Sequence, residues 1–181
     1  MSVHREQLVD LTTPEADVDA RTEQLRRWLA DSGWGTGAGA EDWYFGDVPA
    51  LELGPAAREA FPELGGGTVL VTSVAGGAWV AGEGTHGPVC PACQLDSELW
   101  DAIEAWSGGA EPTLRCPACG HEGLVGDWDL GGSVAFGAVG VVLDPAPERS
   151  SAADVRDLVH ALRAALIRDL GGRWAYVHLR V

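Results

Sequence analysis

Two identical Cys-Pro-Ala-Cys tetrapeptides constrain the fold of this chain more than any other feature of its 181 residues. Their cysteines are Cys90, Cys93, Cys116 and Cys119. Two residues between a pair of thiols let a single chain turn place both sulfur atoms on one ion. Two such turns supply the tetrahedral set of four thiolates that zinc favours in structural sites, which leaves no open position for catalysis. The spacing therefore predicts a structural zinc ion held by these four side chains.

The second tetrapeptide continues into glycine, so that Cys116–Gly120 reads CPACG. This sequence resembles the knuckles of zinc-ribbon proteins, which are usually written CPxCG. The first knuckle matches except that Gln94 stands in the glycine position. The resemblance covers residues 88–130 and implies a zinc ion held by the four cysteines in a module based on a β-hairpin. Residues 97–106 predict a helix inserted between the knuckles, which a minimal ribbon lacks.

Three other interpretations of the four cysteines stay open. They could be unliganded core thiols, although such thiols would not need paired turns. A Cys-x-x-Cys turn also occurs in thioredoxin-like dithiols, where it follows a strand and opens a helix. Iron can occupy a site of four cysteines as well as zinc can. Two identical copies are better explained by one shared metal ion than by redox chemistry.

The rest of the chain predicts a mixed α/β (α+β) protein with a single sheet and helices near both ends. Helices are expected at 14–31, after the start signal Thr-Pro-Glu, and at 152–170, where apolar residues recur at helical spacing. A hairpin at 68–82 and strands at 133–143 and 174–181 are expected to form the sheet. The two helices should cover one face of that sheet.

The expected organisation has three parts. Residues 1–87 supply the first helix and the hairpin of the core, residues 88–130 form the inserted zinc-ribbon-like module, and residues 131–181 complete the core. Within the loop-rich stretch 35–66, only a short helix near Pro55 is predicted. Gly137 and Gly140 should mark bulges or close backbone approach inside an apolar run.

The last predicted strand carries a face that could bind a partner. Trp174, Tyr176, His178 and Arg180 alternate with apolar residues, and aromatic and arginine side chains are enriched where proteins bind one another. An ordinary outer face, covered by a helix or loop, explains the same pattern and is favoured.

Charge limits the partners. The chain carries 27 acidic against 12 basic side chains, a formal net charge of −15, and every basic residue is arginine. Generic phosphate-backbone binding needs clustered cations, and docking on anionic lipid is disfavoured for the same reason. Residues 90–119 carry Arg115 as their only cation. The acidity of the module therefore argues against nucleic acid, the usual partner of a zinc ribbon.

The composition indicates a bacterial, cytoplasmic protein. Abundant glycine and alanine, with arginine but no lysine, are typical of a high-GC bacterial genome. The first residues carry scattered charges and no apolar segment, so a secretory signal is not predicted. The longest apolar stretch is too short to cross a bilayer. Four cysteines in that compartment are expected to be thiols or metal ligands rather than disulfides.

These observations favour a non-catalytic, zinc-stabilised protein-binding protein of adaptor or immunity type. Its acidic surface would suit a basic protein partner. The alternatives are a dithiol or zinc-dependent enzyme and a nucleic-acid-associated zinc-ribbon protein. The sequence contains no G-x-S-x-G, H-E-x-x-H or P-loop motif, so it names no catalytic residue.

Overall fold

The computed structural model describes residues 4–39, 48–63, 65–74, 77–82, 86–98, 111–145 and 152–180. The strands within these residues are β1 (His4–Asp10), β2 (Gly35–Thr36), β3 (Ala50–Leu53), β4 (Gly67–Ser73), β5 (Ala78–Val80), β6 (Thr113–Arg115), β7 (Glu122–Leu124), β8 (Val134–Phe136), β9 (Val139–Pro145) and β10 (Trp174–Arg180). The α-helices are α1 (Val18–Asp31), α2 (Pro55–Ala60) and α3 (Ala152–Leu170), and short 3-10 turns lie at Glu15–Asp17 and Val125–Asp127.

The largest sheet has six antiparallel strands in the order β10-β1-β9-β4-β3-β2. β1 lies between β9 and β10 and pairs antiparallel with both, so β9 and β10 run in the same direction without pairing. The centre of the sheet is β9, where all residues from Val139 to Leu143 are buried. A short, continuous apolar run is typical of a strand covered on both faces.

The prediction of a single sheet is wrong. Besides the six-stranded sheet there are two separate two-stranded sheets, β5-β8 and β6-β7. The predicted hairpin at 68–82 does not form, because β4 pairs with β9 whereas β5 pairs with β8. Its two arms therefore belong to different sheets, and the strands form one six-stranded sheet and two small sheets rather than a single sheet flanked by two terminal helices.

An interruption of the ladder at Gly137 explains why the predicted 133–143 strand divides into β8 and β9. The Val74 amide, just after β4, donates to the carbonyl of Ala138 at 3.0 Å, and the Gly137 amide donates to the carbonyl of Gly77, just before β5, at 2.7 Å. A Cβ atom at Gly137 would overlap the carbonyl oxygen of Asp10. At Gly140 a Cβ would lie 2.7 Å from the ring of Trp79, so the expected close approach at both glycines is confirmed.

Strand β1 escapes prediction because its sequence, HREQLVD, reads as a polar segment. Arg5, Glu6 and Asp10 are nonetheless buried. Each is paired with an opposite charge or hydrogen-bond donor: Arg5 lies 3.5 Å from Asp144, Glu6 accepts from Tyr176 near the end of the chain, and Asp10 accepts from Arg21. Pairing offsets the cost of removing these charges from water, so a charged strand can lie inside the sheet.

Two hydrophobic layers cover the two faces of the six-stranded sheet. Helices α1 and α3 lie on one face, and their buried residues Leu25, Leu29, Leu158, Leu162 and Leu166 pack with Leu8, Val69, Val71, Val141 and Leu143 of the sheet. On the other face, Trp79 and Ala135 of the β5-β8 ribbon pack with Val9, Val142 and Val177. The β5-β8 ribbon therefore forms a second layer on this face of the main sheet.

Helix α1 begins four residues later than predicted, since residues 15–17 form a 3-10 turn, and α3 spans the predicted 152–170. Gly171 and Gly172, with φ of 69° and 85°, end α3 in the left-handed region that glycine tolerates. Among the described residues, no helix has both the length and the apolar character that crossing a membrane requires.

The outer edge of β10 is occupied by backbone from elsewhere in the chain. The amide of His178 donates to the carbonyl of Gly132 at 2.9 Å, and the amide of Arg180 donates to the carbonyl of Ala81 at 2.8 Å. Gly82 also forms a parallel bridge with Arg180. Residues next to the ends of the β5-β8 ribbon therefore bond to β10, which forms the edge of the main sheet opposite to β2.

Candidate metal centre

The first knuckle is a tight turn closed by backbone hydrogen bonds. Val89 and Asp96 form an antiparallel bridge at its base. Inside it, the amide of Cys90 donates to the carbonyl of Leu95, and the amide of Gln94 donates to the carbonyl of Cys90, both at 2.9 Å. Gln94 adopts a φ of 60°, in the left-handed region.

The second knuckle, at the turn of the β6-β7 hairpin, repeats this arrangement bond for bond. The amide of Cys116 donates to the carbonyl of His121 at 2.8 Å, and that of Gly120 donates to the carbonyl of Cys116 at 2.9 Å. Gly120 has a φ of 75°. Gln94 therefore occupies the conformational position of the knuckle glycine, which explains how the first tetrapeptide forms a knuckle without that glycine.

The two knuckles bring the four predicted ligands together. All four Sγ atoms lie within 4.8 Å of one another, and all four cysteines are free thiols. Sγ of Cys90 lies 3.7 Å from that of Cys119, and Sγ of Cys93 lies 3.5 Å from that of Cys116. Adjacent sulfurs around a tetrahedral ion with bonds of about 2.3 Å are about 3.8 Å apart. The cluster is therefore the right size to hold a metal ion.

The thiols of this cluster are unequal acids. The backbone amide of Cys119, helped by that of Ala118, lowers the pKa of Cys116 to about 6, although burial opposes this. The amide of Leu95 lowers the pKa of Cys93, but burial and hydrogen bonds with the other three cysteines outweigh it and raise that pKa to about 12. One thiolate forms readily, whereas four adjacent thiolates need a cation to balance them.

The four-cysteine cluster is continuous with the protein core. Cys90 and Cys116 are buried, Cys93 is half-buried and Cys119 is exposed. The buried pair packs in one hydrophobic cluster with Leu114, Val125, Trp128, Leu130, Val134 and Phe136. Val134 and Phe136 belong to β8, whose Ala135 faces the main sheet. The cysteine module therefore packs on the outer side of the β5-β8 ribbon.

A polar contact fixes the module to the chain between α3 and β10. Arg173 donates to Glu111 at 2.5 Å and to Asp127 at 2.6 Å, and Glu111 also accepts the amide of Gly126 at 2.6 Å. The hydrogen bond with Glu111 is the main cause that raises the pKa of Arg173. No local sequence signal points to this contact, because its members lie far apart in the chain.

The face predicted on the last strand is partly covered. Trp174 is only 2% exposed and lies in the core beneath the helices, while Tyr176 is half-buried and donates its hydroxyl to Glu6 at 2.5 Å. His178 Nδ1 lies 2.9 Å from Glu6 Oε1, and Arg180 is exposed. These residues share one face, but Trp174 is not accessible to a partner. The helix predicted at 97–106 lies largely outside the described residues.

The left-handed knuckle positions predict a pair of opposite stability changes. A non-glycine residue with positive φ is disfavoured by about 1–2 kcal/mol. We expect Gln94→Gly to raise the free energy of unfolding of the metal-loaded protein by about 0.5–1 kcal/mol. Gly120→Ala should lower it by about 1 kcal/mol. Nothing lies within 4 Å of the Cβ that alanine would add there, so the cost is one of backbone conformation. Urea denaturation measures both changes.

Gly37→Ala is the matched control for these variants. Gly37 has a φ of 61° and equally open surroundings, but it lies in the segment after β2. It should lose stability as Gly120→Ala does. Metal affinity should fall in Gly120→Ala, which distorts a knuckle, and stay at the wild-type value in Gly37→Ala. Metal affinity unchanged in Gly120→Ala as well would show that the knuckle geometry does not support the ion.

Comparison of the chain with protein-family models, with curated proteins and with solved structures finds no match. The likeness to a zinc-ribbon knuckle consequently rests on the cysteine motifs themselves and on the geometry of the sulfur cluster.

Proposed function

We propose that this protein is a non-catalytic protein-binding protein, of adaptor or immunity type, stabilised by a zinc ion in the four-cysteine cluster. The observation that carries the proposal is the donor set: four thiols packed into the hydrophobic core of the module. Thiolate ligands select zinc over the hard cations magnesium and calcium. Catalysis at the ion would need an open ligand position, which four thiolates do not leave.

The tips of the two knuckles supply a binding surface, which we call the knuckle face. It consists of the exposed residues Pro91, Ala92, Leu95, Pro117 and Ala118. Because the Sγ atoms of the two knuckles lie within 4.8 Å of one another, we infer that these residues contribute to one surface around the cluster. Leu95 is 54% exposed, although a large apolar side chain gains free energy when it is buried. An apolar surface of this kind favours contact with another protein.

Acidic side chains next to the knuckle face indicate the charge of the partner. Asp96 and Glu98 follow the first knuckle directly, Glu122 follows the second, and all three are exposed. The nearby Arg115 is offset by Glu122, whose carboxylate lies 3.6 Å away. This charge distribution repels phosphate groups and complements a basic protein. We therefore propose a basic partner and no direct nucleic-acid contact.

Affinity capture with a matched pair of surface variants tests the proposal. Leu95→Ser removes apolar surface from the knuckle face, and Ile167→Ser does the same on α3, where the side chain is 43% exposed. The partner retained by the zinc-loaded wild type should be basic. Retention should fall about tenfold or more for Leu95→Ser, as expected at an interface hot spot, and stay unchanged for Ile167→Ser.

Salt and nucleic acid provide the contradicting outcomes. Retention of the basic partner should weaken as the salt concentration rises, because screening reduces the attraction between opposite charges. Equal retention by both serine variants would contradict the assignment to the knuckle face. Tight binding of duplex or single-stranded nucleic acid at physiological salt would contradict the choice of a protein partner.

A further inference from the structure

Two imidazoles and a carboxylate meet at one end of the paired strands β1 and β10. In the antiparallel register, Glu6 lies opposite His178, and His4 lies opposite Arg180. His4 and His178 are therefore diagonal neighbours on one face of the sheet, within reach of each other's side chains. The four-cysteine cluster contains none of these residues.

Glu6 fixes the orientation and the tautomer of His178. The Glu6 side chain is largely buried, and its oxygens lie 2.9 and 3.0 Å from His178 Nδ1. A carboxylate accepts hydrogen bonds only, so Nδ1 carries the proton and the lone pair of neutral His178 is on Nε2. Tyr176 donates its hydroxyl to the same carboxylate and holds it in place. A carboxylate that positions a histidine in this way is typical of metal sites.

The second imidazole lies at the distance that a shared metal ion requires. Nδ1 of His4 is 3.5 Å from Nε2 of His178, and the ring centroids are 5.6 Å apart. An N–H···O hydrogen bond in a protein has a donor–acceptor distance of about 2.7–3.2 Å, so a direct bond between the rings would be long. Two nitrogens bound to a tetrahedral ion at about 2.0–2.1 Å lie about 3.4 Å apart. His4 is exposed, which gives an ion access from solvent.

We propose that His4 Nδ1 and His178 Nε2 bind a divalent transition-metal ion of the Zn²⁺, Ni²⁺ and Cu²⁺ class. Imidazole nitrogen suits these ions, whereas magnesium and calcium prefer oxygen. Within the described residues, these two nitrogens are the ligands that we assign to the ion. Glu6 is a positioning residue that acts through His178. The site differs from the cysteine cluster in ligand type and is independent of the proposed protein-binding function.

Nickel titration of the tag-free protein, loaded with one equivalent of zinc for the cysteine cluster, tests this site. Isothermal calorimetry should show one Ni²⁺ ion bound per chain by the wild type. Affinity should fall at least about tenfold in His4→Ala and in His178→Ala, and about 10–100-fold in Glu6→Gln, the usual effect of removing a partner that orients a ligand. His86→Ala, which removes another exposed histidine, should leave the affinity unchanged.

Two further measurements separate this site from the cysteines and from misfolding. The double variant His4→Ala/His178→Ala reports any nickel bound by the cysteine cluster, and equal affinity in that variant and the wild type would overturn the proposal. Substoichiometric Ni²⁺ added to the wild type should broaden the imidazole NMR signals of His4 and His178 before those of His86. Broadening that spares this pair would overturn it without any substitution.

Discussion

Cys90→Ser is expected to abolish metal binding and unfold the cysteine module. Cys90 is fully buried in the hydrophobic cluster that includes Trp128 and Phe136. Serine replaces a soft thiolate with a hydroxyl that binds zinc poorly and leaves a polar group among apolar neighbours. Zinc binding in zinc-finger peptides is worth about 10–16 kcal/mol at pH 7, so we expect the variant to lose several kcal/mol of stability.

Elemental analysis and thiol titration measure this effect. Measured in the His4→Ala/His178→Ala background, which removes the proposed imidazole site, the protein should contain one zinc ion per chain, with four thiols that react only after chelation. Cys90→Ser should contain no zinc, and its Trp128 should lose hydrogen-exchange protection at the indole N–H. A wild type without metal but with a disulfide would contradict the zinc site, and iron in its place would identify the other metal that suits four thiolates.

Cys119→Ser separates the loss of a ligand from the loss of packing. Cys119 is exposed, so its replacement removes one thiolate without placing a hydroxyl in the core. It should also lose zinc, but the metal-free form should be more stable than metal-free Cys90→Ser. If Cys90→Ser retained zinc and stability at wild-type levels, the cluster would have no structural role.

Asp10→Ala should destabilise the main core by about 3–5 kcal/mol, the usual cost of breaking a buried ion pair. Asp10 is 0% exposed. Its carboxylate accepts hydrogen bonds from the Thr12 amide at 2.9 Å, the Thr12 hydroxyl at 2.6 Å, the Thr13 hydroxyl at 2.9 Å and Arg21 Nε at 2.7 Å. Alanine would leave all of these donors without their acceptor. The guanidinium of Arg21 also lies over the Trp174 ring, which ties this network to the core.

Urea denaturation of Asp10→Ala, with Thr13→Ala as control, measures the contribution of this network. Thr13→Ala removes a single donor and should cost about 0.5–1.5 kcal/mol. The midpoint should shift while the slope of the transition stays constant, since the surface exposed on unfolding is unchanged. Both variants should keep their zinc. A loss below about 1 kcal/mol in Asp10→Ala would show that the network is not coupled to global stability.

The parts of this protein that sequence predicts well are those encoded within one turn or one helix. A Cys-x-x-Cys turn fixes two ligands locally, and the repeat of that turn is enough to indicate all four cysteines. The apolar spacing of Leu158, Leu162 and Leu166 likewise defines α3, and these side chains are buried. In the sequence, Gln94 is a mismatch to the glycine of the knuckle motif. The structure shows that it is equivalent to Gly120 in backbone conformation, since both have a positive φ.

The sheet could not be predicted in the same way because its pairings are long-range. β4 and β5 lie next to each other in sequence and look like a hairpin, yet each finds its partner more than fifty residues later, on either side of Gly137. The sequence of β1 looks polar, but its residues Glu6 and Asp10 can be buried because they bind Tyr176, His178 and Arg21 rather than water. Such partners are visible only after the chain has folded.

The occupied edge of β10 also bears on self-association. An open strand edge is a template on which copies of a protein can polymerise. Here the contacts of β10 with Ala81 and Gly132 protect it. Those contacts come from the segments on either side of the cysteine module, which enter and leave it. If the proposed ion holds the two knuckles together, its removal is expected to loosen these segments and expose the edge of β10 to pairing with other copies of the chain.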